Sequence, residues 1–300
     1  MKSGSTPSLT SPSPERLAYF FLISSTFVAL VSVFGFKFFT LNSAMLVEYP
    51  WAMKLYPYSF KVFAQAQILL GFLSAILLLW ARLGRAWIAS FVGVYLISLA
   101  SEFMGTSWGI PFGHYEYTDL LGYKLFDRVP WLIPCSWFFM GLSSYRLSQA
   151  ILGRTRSPSR WPVMGVRCLL ATLILVLWDI TLDPAMSYTT PFWVWAEKGS
   201  YYGMPTLNIF GWLLTGFIIM LSFETLLGPK KTETLSVTHC IGLYLANLCL
   251  PLGLLASVGA WTPLGLTLFF GALIWIVGRW VGSRFAQHGR APIPLRGFPI

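Results

Sequence analysis

Three carboxylic acid residues lie where this mainly apolar sequence predicts the ends of helices. Glu102 closes one apolar run, and Asp179 and Asp183 close another. The two aspartates are four residues apart, which places them on one face of a helix. Ionisable groups within apolar segments are costly and usually functional. Because no basic residue shares these helical turns, burial and a like-charged neighbour favour a neutral carboxylic acid. Such an acid is a candidate proton donor.

Other polar residues are predicted at the same end of the helices as these acids. Asn208 opens the next apolar run, and His114, Tyr115 and Tyr117 lie in the segment that follows Glu102. Trp178 directly precedes Asp179, and Trp137 and Trp212 follow two connections that are rich in aromatic residues. The sequence therefore predicts one cluster of acids, hydrogen-bonding groups and aromatic rings.

Structural explanations for the acids remain open at this stage. The Asp183-Pro184 pair could be a simple helix stop at the wet membrane interface, since proline ends helices. Glu102 could form an ion pair with Lys124 or Arg128 in the following loop. Asp179 is harder to explain in these terms, because a long apolar stretch precedes it.

The residue types and motifs that the sequence lacks limit the reactions that the protein could catalyse. The chain has three histidines and four cysteines, scattered without metal-ligand spacing, and no glycine-rich nucleotide fingerprint follows a strand. We therefore expect neither a metal nor another cofactor. The Asp179-x-x-x-Asp183 spacing is similar to the Mg²⁺-pyrophosphate motif of prenyl transferases, but those enzymes use two such motifs. Cofactor-free acid–base chemistry, Mg²⁺-dependent prenyl transfer and transport without chemistry remain as alternatives.

Composition indicates the element that positions these groups, a bundle of membrane helices. Of 300 residues, 56% are hydrophobic and 11% charged, against about 25% charged in soluble domains. The net charge of +10 lies in short loops, so we expect no nucleic-acid partner. Spanning a bilayer takes ~20 apolar residues. Eight segments meet this length: 17–39, 62–81, 86–104, 131–151, 163–182, 207–227, 236–256 and 262–281.

The distribution of basic residues predicts the orientation. Fifteen of the 21 lysines and arginines fall in one alternating set of loops and ends, and six fall in the other. Both termini are therefore predicted to be cytoplasmic, in the plasma membrane or a thylakoid membrane. We expect a disordered Ser/Pro-rich tail over 1–16, one transmembrane catalytic domain over 17–283, and a basic tail over 284–300.

Two long connections, 105–130 and 183–206, are rich in glycine, proline and aromatic residues. Long ordered loops are usually functional, and we expect both to pack back onto the helices. Each ends in a proline seven residues before a tryptophan, at Pro130 and Trp137 and again at Pro205 and Trp212. This repetition suggests a duplicated helix–loop–helix unit that faces its copy across a shared site.

Four blocks in these regions resemble the membrane carotenoid biosynthesis protein family. They are 102–117 (EFMGTSWGIPFGHYEY), 129–137 (VPWLIPCSW), 178–184 (WDITLDP) and 201–212 (YYGMPTLNIFGW). The resemblance covers roughly residues 60–280 and is strongest to the cyanobacterial branch of the CruF-type carotenoid 1′,2′-hydratases. It implies an all-α membrane enzyme, a hydro-lyase that acts on carotenoids in the bilayer alongside other enzymes of carotenoid synthesis.

The implied reaction adds water to the terminal double bond of an acyclic carotenoid end group, as in lycopene or γ-carotene. An unactivated alkene must first be protonated, and water then captures the tertiary carbocation. We assign the proton to Asp179 or Glu102. Water placement is assigned to Asp183, Asn208 and His114. The wall that faces the cation is assigned to Tyr115, Tyr117, Trp137, Trp178 and Trp212.

Overall fold

The computed structural model describes residues 13–153 and 160–288, and they form an all-α membrane helix bundle. Eight long helices match the eight predicted segments, and two short helices, α2 and α8, lie in connections. The helices are α1 (Pro14–Gly35), α2 (Ser43–Glu48), α3 (Pro50–Leu83), α4 (Ile88–Trp108), α5 (Leu132–Leu152), α6 (Arg160–Asp183), α7 (Thr206–Ser222), α8 (Pro229–Thr232), α9 (Val237–Ser257) and α10 (Trp261–His288). Turns of π-helix extend α1, α6 and α7.

Seven of the described helices are long and apolar enough to cross a bilayer, and α5 is the long helix outside this group. It carries four serines, Gln149 and Arg146, which lower its hydropathy. Nevertheless, 17 of its 21 residues are buried, because α3, α4, α6, α9 and α10 all pack against it. A helix surrounded by protein does not need an apolar surface for lipid. Its length of ~32 Å still matches a bilayer core.

Local signals set several helix boundaries. The Ser13 hydroxyl accepts a hydrogen bond from the Arg16 amide at 3.4 Å, and Pro14 occupies the first turn of α1. Ser236 caps α9 in the same way. The left-handed Gly109 ends α4, and a Cβ there would lie 2.6 Å from the His114 ring. Glycine therefore allows the loop to turn back closely over the end of α4.

Apolar side chains on the outside of the bundle form a surface that lipid would cover. On α1, Phe20, Ile23 and Phe27 are more than half exposed, and Leu268 and Phe269 on α10 are similarly exposed. Exposed apolar surface on this scale is unstable in water. These surfaces, together with the seven apolar helices, identify an integral membrane protein.

The two long connections pack onto the bundle, as expected. Strand β1 (Tyr115–Tyr117) from the first pairs antiparallel with β4 (Trp193–Trp195) from the second. A short hairpin, β2 (Lys124–Leu125) with β3 (Val129–Pro130), completes the first connection. Close packing requires glycine in α7, because a Cβ on Gly211 would lie 2.8 Å from the Pro111 carbonyl oxygen. The connections thus form an ordered cap over one end of the bundle.

The predicted tails fall largely outside the described residues. Helix α1 already begins at Pro14, within the predicted tail 1–16, and α10 continues to His288, beyond the predicted boundary at 284. The placement of both termini on the cytoplasmic side stays a prediction. Eight crossings would put them on one side.

Glu224, in the π-helical turn that extends α7, forms a buried ion pair with Arg167 of α6. It is 2% exposed and accepts hydrogen bonds from both Nε (2.9 Å) and Nη2 (2.6 Å) of Arg167. The Tyr145 hydroxyl also donates to it. Arg167 of α6 reaches the extension of the neighbouring α7, a contact that sequence spacing does not reveal.

This buried ion pair predicts the effect of Glu224→Gln. Removing one charge leaves Arg167 uncompensated, which we expect to cost roughly 3 kcal/mol of stability. Thermal unfolding of the purified protein in detergent should show a clearly lower midpoint. Glu224 lies 16 residues beyond Asn208, ~24 Å along α7, so turnover per folded molecule should stay unchanged. An unaltered midpoint would contradict the proposed stabilising role.

Candidate active site

A cavity of about 90 Å³ lies beneath the β1–β4 cap, and helices α3 to α7 and α9 contribute to its wall. Nine of the ten predicted site residues line it. They are Glu102, Tyr115, Tyr117, Trp137, Trp178, Asp179, Asp183, Asn208 and Trp212. These nine side chains come from the first long connection and from four helices, α4, α5, α6 and α7. We call this cavity the acid chamber.

Glu102 accepts hydrogen bonds on both carboxyl oxygens. Trp137 Nε1 donates to Oε1 at 2.8 Å, and Tyr117 donates to Oε2 at 2.8 Å. The Tyr115 hydroxyl donates to the same Oε2. Three donors around one 5% exposed carboxyl form an environment suited to a carboxylate, which only accepts hydrogen bonds.

The alternative ion pair for Glu102 does not form. Lys124 Nζ contacts the Asp119 carboxylate at 2.9 Å and the Tyr117 carbonyl oxygen at 2.7 Å. Arg128 donates to the backbone oxygen of Thr106 at 3.0 Å. Lys124 is held within the loop and Arg128 by the last turn of α4, so neither pairs with Glu102 and the structural-bridge interpretation was wrong.

Asp183 also has three donors around its carboxyl group. Ser187 Oγ and Trp195 Nε1 donate to Oδ1 at 2.8 and 3.1 Å. Asn208 Nδ2 lies 3.3 Å from Oδ2. The helix-stop interpretation was wrong, since Pro184 begins a π-helical turn that continues to Thr189 and Asp183 is 2% exposed.

Asp179 differs from both other acids. Its Oδ2 accepts one hydrogen bond, from Asn208 Nδ2 at 3.0 Å. Its Oδ1 is buried and has no hydrogen-bond partner among the residues that the structure describes. Because buried polar atoms are almost always satisfied, an orphaned oxygen in a cavity wall is available to a guest molecule.

The aromatic rings form a continuous wall. Trp137 and Trp212 stack with centroids 4.1 Å apart, and Trp178 meets Trp212 edge-on at 5.9 Å. On the cap side, Tyr115 lies 5.0 Å from Trp195. The wall presents ring faces and edges that can stabilise a positive charge.

Alternation along β1 points Tyr115 and Tyr117 into the chamber and Glu116 outward. Burial, followed by the nearby negative charge of Glu102, raises the pKa of both phenols well above its ordinary value. Both tyrosines therefore remain hydroxyl donors at neutral pH.

With this geometry in place, comparison with known proteins identifies the family. Residues 63–274 match the family described as "Carotenoid biosynthesis protein". The chain belongs to this family. The match agrees with the range of roughly 60–280 expected from the sequence, and it includes every residue of the acid chamber.

One curated relative is the bisanhydrobacterioruberin hydratase of Haloarcula japonica. It is 33% identical over 133 residues, which cover 44% of this chain and 43% of that protein. The alignment therefore spans less than half the length of this relative. No solved structure matches the chain.

In this member of the carotenoid biosynthesis family, His114 lies apart from the chamber. Its side chain is exposed and packs against Gly109, and it is not among the described residues that line the cavity. Strand alternation explains this outward position, because strand β1, which directs Tyr115 into the chamber, begins immediately after His114. His114 therefore lies outside the proposed site.

Several site residues were missed by the sequence interpretation. Trp193 and Trp195 line the chamber from β4, and Ser187 holds Asp183. The Trp-Val-Trp alternation repeats the Tyr-Glu-Tyr pattern of its partner strand, which was the available signal. Gln67 also lines the chamber, with its buried Oε1 unpartnered among the described residues.

The two helix–loop–helix units face each other, as expected. Trp137 and Trp212, which occupy equivalent places in the repeated spacing, form the central stack. Their strands pair in antiparallel register around Glu116 and Val194. The two units thus share the acid chamber, whereas its use as an active site and their origin by duplication stay predictions.

Proposed function

We propose that the protein is a carotenoid 1′,2′-hydratase, which adds water to the terminal double bond of an acyclic end group. The observation that carries this proposal is the unpartnered Oδ1 of Asp179 in an apolar aromatic chamber. Family membership supports a role in carotenoid synthesis. The name of the Haloarcula japonica relative supports hydration as the reaction class.

Asp179 is the proposed proton donor. Asp183 and Glu102 each have three donors and are suited to be carboxylates, and charging a third buried acid beside them would be costly. Asp179, with one donor, is the group that best remains protonated. Its proton passes to the alkene carbon C2′, the π electrons form the new C–H bond, and a tertiary cation remains at C1′.

Asp183 and Asn208 are the proposed water-positioning residues. The Asn208 amide bridges the two aspartates, at 3.0 Å from Asp179 Oδ2 and 3.3 Å from Asp183 Oδ2. A water held beside this bridge attacks C1′ and forms the C–O bond. Its surplus proton returns to the aspartate pair, so the reaction consumes one water and no net acid.

The proposed cation forms close to a negative charge and to aromatic rings. The carboxylate of Glu102, held by Trp137 and two tyrosines, supplies fixed negative charge in the chamber wall. A cation over a desolvated tryptophan face gains up to ~2 kcal/mol. Because these groups are already oriented, little reorganisation is needed as charge develops.

Expression of the full chain in cells that accumulate lycopene tests the proposal. We expect a more polar pigment, heavier by one water, and we expect the same product when EDTA is added to the isolated membranes. Loss of activity on chelation would instead favour Mg²⁺-dependent prenyl transfer. Unchanged pigment beside abundant protein would contradict catalysis and favour a transporter or scaffold.

The proposed setting is the plasma membrane or a thylakoid membrane, with the cap on the non-cytoplasmic side. A hydrocarbon substrate would reach the chamber from the bilayer, since it has negligible solubility in water. Other enzymes of carotenoid synthesis are proposed partners, as they would release and collect the pigment within the same lipid phase.

A further inference from the structure

A second cavity lies beside the acid chamber and shares part of its wall. Its volume is about 290 Å³, and α1, α3 and α9 provide most of its wall. Three residues, Ala64, Phe192 and Leu250, line both cavities. The two spaces therefore meet at a common wall formed by α3, α9 and the segment before β4.

We propose that this second cavity, the chain cavity, holds the polyene chain next to the reacting end group. The inference rests on the proposed function, since it assumes an isoprenoid substrate. A space of about 90 Å³ can hold a chain end and a water molecule, but a forty-carbon carotenoid is far larger. The remaining chain must leave the chamber through its wall.

The lining of the chain cavity suits a hydrocarbon. Phe36, Phe39, Trp51, Phe60 and Phe63 supply aromatic surface. The hydroxyl groups in the lining already have partners within the protein. Their hydrogen bonds are Ser32 Oγ to Val28 O at 2.7 Å, Tyr56 to Thr40 Oγ1 at 2.9 Å, Ser59 Oγ to Tyr56 O at 2.7 Å and Thr190 Oγ1 to Ala185 O at 2.8 Å. The cavity thus has few free hydrogen-bonding groups for water. Apolar cavities of this kind stay dry and bind apolar guests.

The chain cavity also reaches the outside of the bundle. Trp51 and Leu55, at its rim in α3, are each 62% exposed. They lie on the apolar outer surface, where lipid would cover them. A polyene could therefore enter from the bilayer between α1 and α3 and advance its end group past Ala64 into the acid chamber.

A larger apolar cavity, of about 610 Å³, lies between α6, α7 and α10. None of its described lining residues also lines the acid chamber. Size alone would favour this cavity as the chain site, but it does not share a wall residue with the reactive groups. It therefore provides a matched control, an apolar cavity that does not adjoin the acid chamber.

Leu254→Trp fills the chain cavity from α9, and Ala52→Phe fills it from α3; both wild-type side chains are buried in its wall. Leu173→Trp fills the control cavity. Each variant is assayed in membranes with lycopene and with farnesene, a fifteen-carbon hydrocarbon that ends in the same isopropylidene group. Protein amount is measured in parallel.

We expect each chain-cavity variant to lower the ratio of lycopene to farnesene turnover by about ten-fold or more, because buried binding surface is lost. Leu173→Trp should leave both rates unchanged. Wild-type ratios in the folded chain-cavity variants would overturn the inference, as would a ten-fold drop in Leu173→Trp alone.

Pigment retention separates this inference from the proposed function, because it does not require turnover. Purified Asp179→Asn should retain lycopene, whereas Asp179→Asn combined with Leu254→Trp should retain little. Equal retention by both proteins would overturn the inference. If wild type retains lycopene through the chain cavity but never hydrates it, the proposed function fails and the chain site stands.

Discussion

Asp179→Asn should lower hydration of the carotenoid end group by roughly a thousand-fold, within the range expected for loss of a general acid. Asparagine keeps the size of the side chain and can still contact Asn208, but it has no acidic proton. Protonation of the alkene would then depend on water or on a less well-placed acid. Product formation per amount of inserted protein measures the effect.

Asp119→Asn is the matched control for this change. Asp119 lies in the first long connection, its side chain is 93% exposed, and its ion pair with Lys124 is at the surface. Exposed pairs of this kind contribute little to stability, so activity should be unaltered. Wild-type turnover by Asp179→Asn would show that the proton comes from another group, and Glu102 would be the next candidate.

Glu102→Gln should reduce turnover by about a hundred-fold, similar to the loss of one preorganised electrostatic contact. The amide removes the negative charge from the chamber wall. It also directs N–H groups toward Trp137, Tyr115 or Tyr117, all of which donate to Glu102 in the native protein. The tyrosines and the tryptophan stack would then lose their common acceptor.

The kinetic pattern distinguishes this role from simple binding. Because the charge acts on the cation rather than on the neutral alkene, kcat should fall while KM changes little. Glu116→Gln is the matched control, since Glu116 lies between the two tyrosines but is exposed. A rise in KM alone would contradict a role for Glu102 in stabilising the cation.

The positions of the helices and the main acids could be predicted because each depends on local sequence. Apolar runs of bilayer length predicted all eight long helices, and the four-residue spacing placed Asp179 and Asp183 on one face. Both aspartates contact Asn208, which opens the following apolar run. These contacts lie within one helix or between consecutive helices, so the chain order limits the alternatives.

The partners of the acids could not be predicted, because they come from the folded cap. Trp195 reaches Asp183 only after β4 pairs with β1, and His114 turns outward for the same reason. The Arg167–Glu224 pair likewise depends on the packing of α6 against α7. Single-sequence patterns specify which residues are buried more readily than which residues touch.

The composition of α5 reflects its contacts with neighbouring helices rather than contact with lipid. Hydropathy reports contact with lipid, whereas α5 is shielded by its neighbours and carries serines, Gln149 and Arg146 in its second half. Arg146 donates to backbone oxygens of the α8–α9 connection at 3.0 and 3.2 Å. Tertiary contacts thus replace the apolar surface that a lipid-facing helix requires.

The most direct test of the central claim follows the hydrogen and the oxygen of water into the product. Purified protein in liposomes is incubated with lycopene in water labelled with deuterium and oxygen-18. Protonation followed by water capture predicts one oxygen-18 in the tertiary alcohol at C1′ and one carbon-bound deuterium at C2′. A hydroxyl without oxygen-18, or a product without deuterium at C2′, would contradict acid-catalysed hydration by this protein.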